Sequence, residues 1–169
     1  YYPNYMFNEL ARLSPKNEFG VIKSIAEKVV QHYPNAVIAR LSTPYTDNLY
    51  ENFGGLISKI GFRARQKGLI ELANGGRQYR DPLHVSDLAD FIHKVFDVKC
   101  KNEIFQLGGG LNNFLSLRKI VKLVNPDCKI IEIDGGDNGF VFDNSKAERL
   151  LGWKPKVLFE ENCVNLKIL

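Results

Sequence analysis

A chain of 169 residues is long enough for one domain of ordinary size, and its 44% apolar and 25% charged residues are the proportions of a protein that buries a core. Lys and Arg exceed Asp and Glu by 23 − 19 = +4 and are scattered along the chain, which argues against a nucleic-acid partner. No apolar run approaches the roughly 20 residues of a membrane helix, the opening YYPNYMFNEL lacks the features of a signal peptide, and Cys100, Cys128 and Cys163 have neither metal-ligand spacing nor an even count, so reduced thiols and a cytoplasmic protein are expected.

In chain order, Ser14 followed by Pro15 reads as a helix entry, with a side-chain oxygen for the orphan amides and a proline where no amide is needed. Val21, Ile22, Ile25, Ala26, Val29 and Val30 then repeat at helical spacing until Tyr33, Pro34 and Asn35 stop the run. AVIARLS, residues 36–42, reads as a buried strand. A second helix is expected over 53–60, where Phe53, Leu56, Ile57 and Ile60 share a face although Gly54 and Gly55 weaken it. LIELANGG is a strand entering a turn, and PLHV is a short extended piece. Ser86 should cap the helix of DLADFIHKVFD, whose Leu88, Phe91, Ile92, Val95 and Phe96 form a wide apolar stripe. EIFQL is a strand that breaks at Gly108, Gly109 and Gly110, Ser116 precedes a helix on Leu117, Ile120, Val121 and Val124, and KIIEI is a further strand. DNSKAERLLGWKP closes with a short helix ended by Gly152 and Pro155. Alternating strands and helices predict an α/β class with parallel pairing, and with no repeat or linker the whole chain, 1–169, reads as one domain.

Few residues announce chemistry by spacing alone. Phe19 and Lys23 stand four apart on one helix face, as many solvated pairs do. The glycine run has neither dinucleotide nor P-loop spacing, and a turn explains it. Arg80 is either a fork for phosphate oxygens or the partner of Asp81 or of a surface carboxylate, and spacing leaves both open. His32, His84 and His93 show no ligand spacing.

The order of the segments says more. EFGVIKSIAEKVV resembles the YGxxKxxAE helix of the extended short-chain dehydrogenase/reductases, the nucleotide-sugar epimerase and dehydratase family. ARLSTPY resembles its LRxxNxYG strand, GGRQYRDPLHVSDLADFI its GxxxRDxIHVxDLA segment, EIFQLGGGLNNFLSL its xxNIGxGxxxSxxEL segment, and FDNSKAERLLGWKPKVLFEE its xDxSKAxxxLGWxPxxxLEE segment. The resemblance implies the carboxy-terminal part of a Rossmann-like fold with the small substrate lobe. It implies a nucleotide-diphosphate sugar as ligand, NAD or NADP as cofactor, and a homodimer packed through the helix over 14–32. Phe19 falls where the family has its acid/base tyrosine, and Lys23 where a lysine lowers that phenol's pKa and holds the nicotinamide ribose. Ser42 and Thr43 would border the cofactor, while Thr43, Leu72 and Arg80 would line the substrate, Arg80 on the diphosphate. Tyr2 is the match to the tyrosine of an SSxxVYG segment. The GxxGxxG turn is not in this sequence, a second family arginine has no counterpart in IDGGDNGFVF, and Phe19 has no proton to give.

Overall fold

The computed structural model describes residues 6–137 and 139–168; the Tyr2 match lies outside the described residues. The elements run β1 (Met6–Phe7), α1 (Glu18–Val30), β2 (Val37–Leu41), β3 (Thr43–Tyr45), β4 (Asn48–Leu49), α2 (Gly55–Lys67), β5 (Leu69–Ala73), β6 (Tyr79–Arg80) and β7 (Pro82–His84). They continue as α3 (Val85–Asp97), β8 (Glu103–Leu107), β9 (Leu115–Ser116), α4 (Leu117–Val124), β10 (Lys129–Ile133), β11 (Val141–Phe142), α5 (Ser145–Leu151), α6 (Phe159–Asn162) and β12 (Lys167–Ile168). The long pairings are parallel: β2 with β8 from Val37↔Glu103 to Leu41↔Leu107, and β5 with β10 from Leu69↔Lys129 to Ala73↔Ile133. Only β6 and β9 pair antiparallel among the described strands.

Two apolar cores follow from these pairs. One lies under β2 and β8, where Leu83, Phe91, Phe105, Leu107 and Trp153 are buried between the strands, α3 and α5. The other gathers Tyr45, Ile57, Ile70, Ile120 and Phe159 around β5, α2 and α4. Asp87 joins the third and fifth quoted segments: its carboxylate accepts the Lys156 and Val157 amides at 3.0 Å each, while its carbonyl accepts the Trp153 indole N–H at 2.9 Å. A buried carboxylate is tolerated there because backbone donors satisfy both oxygens.

The glycine run is the turn expected of it. Gly109 passes so close to β7 that a Cβ would stand 1.8 Å from the Pro82 carbonyl oxygen, which only glycine permits. Its amide donates to the Asp81 carbonyl at 3.1 Å, and buried Asn113 fills the remaining space by donating to the Pro82, Gly109 and Val157 carbonyls.

Three helix boundaries differ from the sequence expectation. The first helix starts at Glu18, not at Ser14 and Pro15, because the Asn17 side chain takes the cap and accepts the Gly20 amide at 2.9 Å. The second runs from Gly55 to Lys67 and excludes Phe53, since Gly54, its N-cap, sits in the left-handed region at φ +85°. The third is capped by His84 rather than Ser86; the His84 ring nitrogen Nδ1 accepts the Ser86 amide at 3.3 Å and lies 2.7 Å from its hydroxyl.

Helix α1 is unusual in having no buried residue; Val21, Ile22, Ile25 and Val29 present an apolar stripe to solvent. It is fastened to β2 by Arg40, whose Nε and Nη2 donate to the two Glu27 oxygens at 3.0 and 2.6 Å in a largely buried fork.

Candidate functional site

Where β2 ends, Ser42 and the strand β3 turn toward β7, and a cavity of about 340 Å³ opens there, lined by Ser42, Thr43, Tyr45, Gly55, Arg80 and Phe140 among others. Three of the residues expected at a ligand site therefore meet: Ser42, Thr43 and Arg80. The Ser42 hydroxyl is already engaged, donating to the Asp81 carbonyl at 2.9 Å, and its amide donates to the Leu107 carbonyl at 2.9 Å. Thr43 is buried in β3.

Arg80 is the cation of this cleft. Its Nη1 donates to the Tyr79 carbonyl at 2.7 Å and to Asp137 Oδ1 at 3.0 Å, and its Nη2 donates to Asp137 Oδ2 at 3.0 Å. The guanidinium also stands 5.0 Å from the centroid of the Phe140 ring. Of the alternatives the spacing left open, the Asp81 pair is not what forms. The carboxylate that meets Arg80 lies 57 residues along the chain. Partial burial pushes the Asp137 carboxyl up, but the Arg80 hydrogen bonds and charge, the Gly139 amide and the charge of Lys16 together hold it below the usual carboxylate range.

Asp81 lies directly behind, fully buried, with Oδ2 accepting the Phe142 amide at 3.0 Å and Oδ1 without a partner. Burial pushes its pKa up to about 7, against the Phe142 hydrogen bond and the Arg80 charge. Its bond to β11 fixes the strand that brings Phe140 over Arg80.

Two expected residues stand apart from the cleft. Leu72 is in the middle of β5 with its side chain in the core, so only its backbone could pass a ligand. Phe19 is 69% exposed on α1, and the Lys23 ammonium sits 5.4 Å from its ring centroid. An exposed cation–π contact of this kind contributes about 0.5–1 kcal/mol. Lys23 makes no ion pair among the described residues. Tyr45, the phenol in the cleft wall, does not stand in for a missing acid/base tyrosine: it is 1% exposed, and burial pushes its pKa up rather than down. Asp137 and Phe140 had no local signal that would have placed them here, whereas Tyr45 falls on the tyrosine of the LRxxNxYG resemblance without being singled out.

The model of the NAD dependent epimerase/dehydratase family matches residues 3–108. CDP-paratose 2-epimerase of Salmonella typhi is 25% identical over 175 residues, covering 89% of this chain and 51% of the relative. Among solved structures, dTDP-glucose 4,6-dehydratase of Bacillus anthracis in complex with NAD superposes with a TM-score of 0.79 at 22% identity, over 95% of this chain and 54% of that one. MoeE5 in complex with UDP-glucose and NAD superposes with a TM-score of 0.81 at 18% identity, over 96% of this chain and 58% of that one. The chain spans about half the length of the relatives it matches.

Proposed function

This chain belongs to the NAD dependent epimerase/dehydratase family, and on that ground we propose that its cleft is the diphosphate end of a nucleotide-sugar site in an NAD(P)-dependent epimerase or dehydratase. The observation that carries the reading is Arg80, a nearly buried guanidinium lining an otherwise uncharged cavity among the six residues named above, beside an aromatic ring. A planar fork of this kind suits phosphate oxygens.

The fit to a nicotinamide cofactor is partial. Lys23 has an exposed ammonium engaged only by the Phe19 ring among the described residues, and it is the side chain that would meet a ribose; the Ser42 hydroxyl has spent its proton on the Asp81 carbonyl and could only accept. No GxxGxxG turn for a pyrophosphate is in these residues. The nicotinamide supplies hydride chemistry when bound.

Titration calorimetry with UDP-, dTDP- and GDP-sugars tests the cleft. Arg80→Ala is expected to weaken binding ten- to a hundredfold, the scale of about 1.5–3 kcal/mol for a hydrogen-bonded charged fork. Unchanged affinity would mean that Arg80 serves the fold and not a ligand.

A second reading, self-association through α1, is favoured by the bare stripe of Val21, Ile22, Ile25 and Val29 on a helix with nothing buried. Ile25→Glu is expected to convert a dimer to a monomer by light scattering while leaving the circular dichroism spectrum intact. A native monomer, or a dimer that tolerates the charge, would sink it.

A further inference from the structure

The fork of Arg80 that points along its axis is full. Nη1 spends its two hydrogens on the Tyr79 carbonyl and on Asp137, and Nη2 bonds the second Asp137 oxygen, both carboxylate contacts being 3.0 Å. An acidic side chain of the protein itself therefore takes the two-nitrogen edge that a phosphate would use, and it offsets the charge of Arg80, the one charged residue among those described that lines the cavity. The two partners are unequally placed: the Arg80 side chain is 11% exposed and that of Asp137 58%. The arginine is held in the wall by the Tyr79 carbonyl and the Phe140 ring, whereas the carboxylate stands on the solvent side of the pair. Oδ1 of Asp137 also accepts the Gly139 amide at 2.7 Å, so the carboxylate is held by its own loop as well as by Arg80.

We propose that Asp137 is a built-in anion seated on the Arg80 fork, and that a diphosphate enters the cleft by exchanging with it. The inference rests on the reading of the cleft as a nucleotide-sugar site. With its carboxylate half-exposed the pair is open to ligands from solvent, and a phosphate brings more charge and more acceptor oxygens to the same fork than a carboxylate does. Exchange then makes occupancy selective: a singly charged or weakly accepting ligand cannot displace Asp137, while a diphosphate can.

Asp137→Asn keeps the shape of the side chain and removes its charge at an exposed position, so the fold should be unaffected, which melting curves check. Calorimetry of the native chain, Asp137→Asn, and Asp137→Asn combined with Arg80→Ala is done with inorganic pyrophosphate and with UDP-glucose as probes. Pyrophosphate is expected to bind Asp137→Asn about tenfold more tightly than the native chain, and the gain should vanish in the double variant. Weaker binding by Asp137→Asn would overturn the proposal, showing that Asp137 aims Arg80 at the ligand; so would the absence of any pyrophosphate binding by that variant. A gain for pyrophosphate without UDP-sugar binding in any form would leave the exchange standing and remove the nucleotide-sugar reading instead.

Discussion

Moving from pH 5 to pH 8 is expected to cost the native fold roughly 2–3 kcal/mol at Asp81, and Asp81→Asn to abolish that part of the pH dependence. Asp81 is fully buried, one oxygen has no partner, and burial raises its pKa from 3.8 to about 7. The folded state therefore holds the proton more tightly than the unfolded chain. The contribution is complete below the unfolded value, declines by about 1.4 kcal/mol per pH unit across the interval, and is gone once the pH has risen through about 7. Over the whole window this is on the order of 4 kcal/mol, a large share of the stability of a domain this size. Carboxylates with lowered values, such as Glu51 and Glu132 held by Lys67 and Arg77, act in the opposite sense, so the native and substituted proteins must be compared at each pH. Denaturant titrations at pH 5 and pH 8 read the difference. Identical slopes for the two proteins would show that Asp81 is not protonated in the fold.

In the whole protein, supplied with NAD and candidate nucleotide sugars, Phe19→Tyr is expected to raise the rate of NADH formation, followed by absorbance, by ~10²–10⁴, the usual contribution of one positioned acid/base group. The ring is largely exposed and the Lys23 ammonium already stands 5.4 Å from its centroid, so a hydroxyl can be added without disturbing packing. A cation one helical turn away favours the phenolate and so lowers the pKa of the new phenol. Fast turnover by the native protein with no change on substitution would place the acid/base role on another residue. Silence in both proteins would favour a binding role for the cleft.

What the sequence determined by itself was whatever nearest neighbours decide. The apolar stripe of Leu88, Phe91, Ile92 and Val95 dictates α3, Ser116 caps α4 by accepting the Lys119 amide at 3.2 Å, and Gly152 ends α5 in the left-handed region at φ +62°. The apolar runs of β2, β5, β8 and β10 are long enough to read as strands, and alternation with helices implies their parallel pairing. Two-residue strands such as β6, β9 and β11 carry no periodicity at all, because their bonds come from partners tens of residues away. For the same reason the sequence could offer Arg80 as a fork without saying what fills it: Asp137 has no distinguishing neighbours and reaches Arg80 only when β6, β9 and β11 are assembled. Tertiary structure alone also decided the state of Asp81, since burial beneath Phe142 and the glycine turn, and nothing in the RDPL sequence around it, changes its affinity for a proton.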